Sequence, residues 1–355
     1  MVDAVSLRSF RSYARLEVEL GSGIVLVVGP NGAGKTNLLE SLHVGTQGFS
    51  PRTRADAQLI RFDDAAARIR LSGTRGAHAT PVELEVTLRA GGGKQARVNG
   101  AVLPGAEQLR HEVATLVFTP DRLAIVKGGP AVRRAYLDRS LGRLLPARAS
   151  VPGEYAAALG QRNAALRRVA LGYSSREALD PWTERVAAAG GELVAARRDA
   201  LALLRQPFAD RAAELGLEDA RLDYVGEQPD VRALEERLER DLERGATGLG
   251  PHLDDVAVAA GSRDLRRFGS QGEQRLAVLS LLLAEADVLA DLGGAPPLLL
   301  LDDVLSELDP ARRTALAARI AARGQTLVTA TTAAALPRDP DVLLEVTPGA
   351  VARAA

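Results

Sequence analysis

Short apolar runs and a helical apolar stripe alternate near the beginning of the chain. Val18 to Val28 predicts a strand, a tight turn and a second strand of buried β-branched residues. A glycine-rich loop follows, and Leu38, Leu39 and Leu42 then recur at the spacing of one helix face. Gly45 is the expected end of that helix. This order predicts a strand–loop–helix unit of an α/β fold.

The pattern changes twice further along the chain. Residues 69–102 predict short antiparallel strands, whereas residues 119–242 are mostly of helical pattern. Strand signals return near Val256, and two apolar strands are predicted at Leu298–Leu301 and Thr326–Thr331. Within the helical region, we expect breaks near Pro146, Pro152, Gly172, Pro181 and Pro207.

These patterns predict one α/β domain that is interrupted by a mostly helical second lobe. We place the α/β domain at residues 1–120 and 249–355, and the helical lobe at residues 121–248. No internal repeat and no sustained heptad pattern is present, so a long coiled-coil arm is not expected.

Composition limits the possible function classes. Lys+Arg and Asp+Glu number 45 each, so the net charge of the 355 residues is zero and a uniformly basic coat protein for nucleic acid is disfavoured. The absence of cysteine excludes disulfides and cysteine-ligated metals. With no secretory signal pattern and no apolar run of about 20 residues, we expect a soluble, cytoplasmic protein without a membrane partner.

The glycine-rich loop matches the P-loop pattern in full, with a predicted strand before it and a helix after it. Its glycines let backbone N–H groups turn towards phosphates, and the helix N-terminus adds a favourable dipole. We expect Lys35 to contact the β- and γ-phosphates of ATP and Thr36 to ligate Mg²⁺. The predicted ATP-binding residues are Gly29, Pro30, Asn31, Gly32, Ala33, Gly34, Lys35 and Thr36.

Two aspartates follow the all-leucine strand at 298–301. A carboxylate at the C-terminal end of a buried parallel strand emerges where ligands bind in open α/β sheets. We therefore expect Asp302 to ligate Mg²⁺ and Asp303 to orient or deprotonate the attacking water. The alternative is a strand that ends in two solvated aspartates.

Ser270-Gln271-Gly272-Glu273-Gln274 resembles the signature motif of ABC ATPases. Ser270 and Glu273 also have the spacing of a capping box, so they could do no more than begin the helix that follows. The position some two dozen residues before the Asp-Asp strand favours the signature reading. In that family the signature serine and helix N-terminus bind the γ-phosphate held by a second subunit, which implies that Ser270 and Gly272 complete an ATP site in a homodimer.

Of the other positions, some match the pattern of ABC ATPases and some depart from it. Ser306 to Asp309 resembles the D-loop at the dimer interface, although Asp309-Pro310 is also a good helix start. The catalytic glutamate is replaced by Asp303, and Thr329 to Thr332 occupies the place of the switch histidine. Both changes predict slow hydrolysis. Gln47 is either the glutamine that senses magnesium or a surface glutamine.

Three longer stretches are similar to the RecF family of DNA recombination mediators. They are residues 115–142, residues 250–255 (where Leu253 replaces the family's arginine) and residues 301–309. The resemblance implies an ABC-type ATPase head with a short helical lobe, related to the heads of SMC proteins. It also implies an ATP-dependent dimer that binds duplex DNA and gapped DNA, and that helps other mediators load RecA onto single strands.

A basic run gives separate support for DNA. Ten basic residues lie between Arg122 and Arg168, opposed by Asp138 and Glu154, a density that suits phosphate contacts. The alternative is that these charges pair with one another on solvated helices. The residues predicted to contact DNA are Arg133, Arg134, Arg139 and Arg143.

Two other classes of ATPase share the nucleotide motifs. A transporter subunit would need a membrane partner and would lack the RecF-like stretches. A structural SMC-type protein would need long coiled coils, for which the sequence has no pattern. Both readings are therefore less favoured than a RecF-like mediator.

Overall fold

Strands dominate both ends of the chain and helices dominate its middle in the computed structural model, which describes residues 1–76, 78–293 and 295–354. In chain order the strands are β1 (Val2–Phe10), β2 (Tyr13–Glu19), β3 (Ile24–Val28), β4 (Ala66–Arg75), β5 (Thr80–Arg89), β6 (Lys94–Val98), β7 (Ala101–Val102), β8 (Thr115–Phe118), β9 (Ala220–Val225), β10 (Asp255–Ala260), β11 (Arg263–Asp264), β12 (Leu298–Leu301), β13 (Thr326–Ala330), β14 (Val342–Thr347) and β15 (Ala350–Arg353). The helices are α1 (Lys35–Gln47), α2 (Ala124–Lys127), α3 (Pro130–Leu144), α4 (Val151–Ala170), α5 (Asp180–Glu214), α6 (Val231–Glu235), α7 (Leu238–Arg244), α8 (Leu265–Phe268), α9 (Gln271–Gly293) and α10 (Pro310–Ala321). Among the helices in the described ranges, none combines the length and the apolar character that crossing a membrane requires.

The chain forms two units. The first contains residues 1–122, 214–216 and 286–355, and the second contains residues 123–213 and 217–285. This grouping differs from the predicted division mainly at residues 249–285, which the prediction places in the α/β domain, and also at residues 121–122 and 214–216, which it places in the helical lobe. The reason for the main difference is that β10 pairs antiparallel with β9, so that both strands belong to one small sheet of the second unit.

The first unit contains two six-stranded sheets. One has the order β2-β1-β4-β5-β6-β7, and all its neighbouring strands are antiparallel. The other has the order β15-β14-β3-β13-β12-β8, and β15 is its antiparallel edge strand. The strands from β14 to β8 are parallel, so their carboxyl ends lie along one edge of the sheet. That edge carries the loop after β3 and the aspartates after β12.

Helix α1 shares one core with both sheets of the first unit. Its Leu38, Leu39 and Leu42 are buried in the same cluster as Leu7 and Ile69 of the antiparallel sheet. Leucines of β12 and valines of β3 belong to this cluster as well. Burying a leucine contributes roughly 1.5–3 kcal/mol, so this core fixes the start of α1 against the parallel sheet.

Two predicted turns and two predicted strands are confirmed. The turn before β3 has Gly21 and Gly23 at φ 71° and 73°, the left-handed region that glycine adopts without steric cost. The hairpin tip at residues 91–93 joins β5 to β6, as the pattern predicts. The two apolar strands near the end of the chain are also found, at Leu298–Leu301 and Thr326–Ala330.

Three predictions of local structure are wrong. Helix α1 continues past Gly45 to Gln47 and ends at Gly48, which has a φ of 77°. Gly45 serves a different purpose, because a Cβ on it would lie 2.5 Å from Leu71 Cδ1. A glycine at this position lets α1 approach β4 closely.

The other two errors lie in the second unit. Pro207 does not break α5, which continues to Glu214. A proline inside a helix costs about 3 kcal/mol, and the burial of Leu204 and Phe208 on either side of it offsets this. Strand β9 lies in the region predicted to be helical, because its pairing with β10 outweighs the local pattern.

Candidate nucleotide-binding site

The loop between β3 and α1 has a backbone that only glycine adopts easily. Gly29, Gly32 and Gly34 have φ of 155°, 81° and 117°. At Gly29 a Cβ would lie 2.3 Å from the carbonyl oxygen of Val346, so a side chain does not fit there. The remaining P-loop positions, Pro30, Asn31 and Ala33, lie between these glycines, as in the P-loop pattern.

Lys35 is the first residue of α1, and its side chain turns back into the loop. Its Nζ donates hydrogen bonds to the carbonyl oxygens of Gly29 at 2.7 Å and Pro30 at 3.0 Å. The residue is only 9% exposed. The ammonium group therefore lies inside the concave side of the loop, where a P-loop lysine contacts phosphates.

Asp302 is a buried carboxylate at the carboxyl edge of the parallel sheet. Its Oδ1 accepts hydrogen bonds from Thr36 Oγ1 at 3.0 Å and from Thr329 Oγ1 at 2.8 Å. Burial raises the pKa of Asp302 above its usual value, while these two hydrogen bonds and the charge of Arg52 act in the opposite direction. The structure thus brings together Thr36 and Asp302, which the sequence predicted as the magnesium ligands.

The chemistry of these side chains fits Mg²⁺. Thr36 and Asp302 offer a hydroxyl and a carboxylate, and Mg²⁺ prefers hard oxygen ligands, usually one or two from the protein with the rest from water and phosphate. These two side chains would hold the ion, and no further protein ligand is needed.

Asp303 differs from its neighbour in conformation and in exposure. It is exposed, whereas Asp302 is only 6% exposed. Its backbone is left-handed, with φ 51° and ψ 25°, a region in which aspartate is more common than most residues. The two carboxylates therefore point to different environments, which suits a metal ligand and a group that acts on water.

Thr329 is a site residue that sequence reasoning missed. Its Oγ1 donates to Asp302 and also accepts the backbone N–H of Asp303 at 2.8 Å, so one hydroxyl fixes both aspartates. The residue is fully buried in β13. A threonine near the carboxyl end of a mostly apolar strand was the signal available in the sequence.

Arg52 and Glu40 form a second group that the sequence did not reveal. Glu40 of α1 is buried and accepts hydrogen bonds from Ser50 at 2.6 Å and from both Arg11 Nε and Nη2 at 2.9 Å. Arg52 Nη1 lies 3.3 Å from the same carboxylate and 3.3 Å from Asn37 Oδ1. Glu40 thereby holds Arg52 near α1, where its charge acts on Asp302.

Ser270 and Glu273 form a capping box at the start of α9. The backbone N–H of Ser270 donates to Glu273 Oε2 at 2.8 Å, and the backbone N–H of Glu273 donates to Ser270 Oγ at 3.2 Å. The hydrogen bond from Arg263, followed by those from Ser270, lowers the pKa of Glu273 to about 2. Ser270 and Gly272 are both exposed, so the capping box leaves them accessible to a second subunit.

Gln47 does not fit the predicted role of a magnesium sensor. It is the last residue of α1, so at 1.5 Å rise per residue it lies ~18 Å along the helix from Lys35. It is buried, and its Nε2 donates to the carbonyl oxygen of Val113 at 3.1 Å. Gln47 is therefore neither a magnesium sensor nor a surface glutamine. Its amide holds the end of α1 against the segment before β8.

Much of the predicted basic run is used for ion pairs inside the second unit. Arg133 is 4% exposed and makes a bidentate pair with Asp255, at 2.6 and 2.7 Å. Arg143 Nε donates to the buried Glu285 at 2.6 Å. Arg162 is fully buried and pairs with Asp241 at 2.8 Å.

The structure therefore corrects the prediction that Arg133 and Arg143 contact DNA. Arg134, which is partly exposed and donates to the carbonyl oxygen of Asp254, and the exposed Arg139 stay predictions. The pair of Arg133 with Asp255 also joins two of the RecF-like stretches to each other.

Comparisons with known proteins give a consistent result. Residues 1–350 match the family described as RecF/RecN/SMC N terminal domain. A protein from Heliobacterium modesticaldum named DNA replication and repair protein RecF is 38% identical over 345 residues, which cover 93% of this chain and 92% of the relative. The protein of the same name from Pediococcus pentosaceus is 36% identical over 343 residues, which cover 92% of this chain and 91% of the relative.

Solved structures agree with this. The chain resembles the structure described as the recombination mediator protein RecF-ATP in the RecFOR pathway with a TM-score of 0.88 at 27% identity, covering 100% of this chain and 97% of the other. It also resembles an Smc head bound to the C-winged helix domain of ScpA, with a TM-score of 0.61 at 15% identity over 99% of this chain and 96% of that one, which is a likeness of fold alone. The predicted α/β fold of an ABC-type ATPase head is confirmed.

Replacing Lys35 tests the phosphate site. Lys35→Met should abolish tight ATP binding and leave the fold intact, because among the described residues the ammonium group donates hydrogen bonds only to loop carbonyls. Lys94→Met is the matched control, since Lys94 bonds to Gly48 and Asp56 instead. Binding of a fluorescent ATP analogue and thermal unfolding are the measurements. An unchanged ATP affinity in Lys35→Met would show that this loop is not the phosphate site.

Replacing Thr329 tests how the aspartates are fixed. Thr329→Val leaves the N–H of Asp303 and the carboxylate of Asp302 each short of one partner, so the free energy of unfolding should fall by about 1–3 kcal/mol. The Mg²⁺ concentration needed for nucleotide binding should rise. Thr329→Ser keeps the hydroxyl and should restore both properties.

Thr326→Val is the control in the same strand. Thr326 is also fully buried, but its Oγ1 has no hydrogen-bond partner among the described residues. Its replacement should therefore leave stability and Mg²⁺ dependence unchanged. Denaturant unfolding and nucleotide titrations at several Mg²⁺ concentrations separate the three variants, and equal behaviour of Thr329→Val and Thr326→Val would refute the role of Thr329.

Proposed function

The chain belongs to the RecF family, and we propose that it is an ATP-dependent recombination mediator that acts on DNA in the RecFOR pathway. The observation that carries the proposal is the oxygen-lined site beside the P-loop, where Thr36 and Asp302 lie 3.0 Å apart. The names of its relatives, DNA replication and repair protein RecF and recombination mediator protein RecF-ATP, support the same assignment.

In this proposal the P-loop binds the phosphates of ATP. The backbone N–H groups of residues 29–34 and the ammonium group of Lys35 donate to phosphate oxygens. Magnesium, when bound by Thr36 and Asp302, supplies neutralisation of the phosphate charge. Thr329 keeps Asp302 in the orientation that this binding requires.

Hydrolysis is proposed to be slow. Asp303 is exposed at the edge of the site and orients or deprotonates the attacking water. It is one methylene shorter than the glutamate of other ABC ATPases, and Thr331 and Thr332 stand where a histidine would contact the γ-phosphate. Positioning supplies most of the catalysis in phosphoryl transfer, so both differences lower the rate.

Binding of ATP is proposed to close a homodimer. Ser270 and Gly272 lie at the N-terminus of α9, a 23-residue helix whose first amides favour an anion. Among the described residues, a Cβ on Gly272 would meet only Ser270 Oγ, at 4.0 Å, so packing within this part of the chain does not require a glycine there. A glycine that its own subunit does not need is consistent with the close approach of phosphates held by the partner.

On DNA, the closed dimer is proposed to bind duplex DNA and the junctions of duplex and single strand at gaps. There it would help other mediators load RecA, in the cytoplasm. Aromatic residues make up only 3% of the chain, so stacking of single-stranded bases is a poor candidate for the main contact. Contacts with the duplex backbone fit the composition better.

Replacing Ser270 tests the dimer. Ser270→Arg should leave ATP binding by the monomer intact, but block ATP-driven dimerisation and hydrolysis, because a long side chain fills the space meant for the partner's phosphate. Loss of the cap alone costs about 0.5–2 kcal/mol of stability. Asp230→Ala is the matched control, since Asp230 caps α6 through Ala233 at 2.6 Å. Sedimentation with and without ATP, together with melting temperature, is the measurement.

The outcomes separate the two readings of the signature. Dimerisation that survives in Ser270→Arg, with a stability loss like that of Asp230→Ala, would reduce Ser270 to a helix cap. If Ser270→Arg loses dimerisation and Asp230→Ala does not, the result supports an ATP site that Ser270 of a second subunit completes.

Replacing Asp303 tests the use of ATP as a timer. Asp303→Asn should bind ATP and dimerise normally but remain on DNA with a much longer lifetime, since the water is no longer activated. The wild-type rate itself should lie well below the ~1–100 s⁻¹ of kinases. Single-turnover hydrolysis and dissociation from duplex DNA are the measurements, with the exposed Asp339→Asn as control. A wild-type rate of tens per second would contradict the timer.

A further inference from the structure

One row of side chains on the antiparallel sheet of the first unit is formed by three adjacent arginines. Arg8 of β1 lies directly opposite Arg15 of β2 and directly opposite Arg68 of β4. All three are exposed, and we call them the arginine row. The neighbouring residues Leu7, Leu16 and Ile69 point to the other face and are buried in the core.

The next row on the same face has a different composition. It contains Glu17, Ser6, Arg70, Glu85 and Arg97, which follow one another across the same strands. Arg70 pairs with Glu85 at 2.9 Å and with Glu83 at 3.4 Å. In this row, acid and base therefore neutralise each other, as is usual on a solvated sheet.

The arginine row lacks such neutralisation. Within the described residues, the side chains of Arg8 and Arg68 make no hydrogen bond and no ion pair, and Arg15 pairs only with the exposed Glu17, at 3.0 Å. The row continues over β5 and β6 as Thr87 and Gln95, which carry no charge.

This arrangement costs stability in the free protein. Like charges directly opposite each other in a sheet are destabilising by some tenths of a kcal/mol. An exposed pair such as that of Arg15 with Glu17 recovers little. None of the three arginines has an acidic residue directly opposite it in the sheet. Their charges are therefore available to bind an anion from outside the protein.

We propose that the arginine row binds the phosphate backbone of duplex DNA. This rests on the proposed function and moves the contact away from the basic run, whose Arg133, Arg143 and Arg162 are occupied by internal ion pairs. Strands are spaced ~4.8 Å apart, so the row spans ~10 Å. Duplex DNA carries a phosphate every ~3.4 Å of axis on each strand, so several phosphates lie within that span.

The chemistry of the row suits this ligand. A guanidinium group binds a phosphate through two parallel hydrogen bonds, and it keeps its charge at every physiological pH. Arg89 of β5, which pairs across from Ala66, adds a further exposed cation beside Arg68 on the same face. The register of the sheet holds these groups in place, so binding requires no rearrangement of the backbone.

The double variant Arg8→Ala/Arg68→Ala tests the proposal. Each phosphate contact contributes about 0.9 to the slope of log affinity against log salt, so the slope of duplex binding should become shallower by roughly 1 to 2. The loss should be the same for unrelated DNA sequences. ATP affinity should not change, and the melting temperature should stay the same or rise, because a repulsion has been removed.

Arg70→Ala is the matched control on the same face and on the same strand as Arg68. Arg70 has acidic partners within the sheet, so its loss should leave the salt slope of duplex binding unchanged. If the folded double variant binds duplex DNA with the wild-type salt slope, the arginine row does not bind DNA. That result would not contradict the proposed function. A wild-type protein that binds no duplex DNA with ATP would contradict the proposed function itself.

Discussion

The arrangement of the nucleotide site depends on one buried carboxylate, that of Asp302. Asp302 is 6% exposed at the end of a strand of four leucines, where an ionised group without partners would cost several kcal/mol. Hydroxyls from Thr36 and Thr329 satisfy it, and they come from the P-loop helix and from the next strand of the sheet. The strand order β3-β13-β12 brings these three chain ends together at one edge of the sheet, with Thr329 between the other two.

The arginines of this chain have two kinds of environment, which differ in exposure and in pairing. In the second unit Arg133 and Arg162 are buried in ion pairs with aspartates, and removing one partner of such a pair typically costs about 3–5 kcal/mol. In the first unit Arg8 and Arg68 are exposed, without an acidic partner among the described residues. The density of arginine along the sequence is higher in the second unit, but the charge that is available to a ligand depends on pairing.

The sequence predicted those parts of the site that depend on neighbouring residues. The P-loop needs glycines at fixed positions between a strand and a helix, and the strand before Asp302 is apolar throughout, so both could be recognised from local pattern. The pairing of Arg133 with Asp255 joins residues 122 positions apart, and that of β9 with β10 joins two segments on either side of two short helices. No local pattern contains such partners. Thr329 was visible as a polar residue in a buried strand, but its partners lie in other elements.

The hydroxyl of Thr329 also bears on the speed of the reaction. A hydroxyl has one proton to donate, and Thr329 gives it to Asp302 while accepting the N–H of Asp303. It has no proton left for a phosphate oxygen, so it cannot replace the histidine of other ABC ATPases. Thr331 and Thr332 follow on the exposed side of the strand end, and a neutral hydroxyl stabilises developing negative charge less than an imidazolium does. Under the proposed function, stabilisation of that charge within one chain would rest on Lys35, the loop amides and magnesium held by Thr36 and Asp302, which is consistent with the slow hydrolysis that we propose.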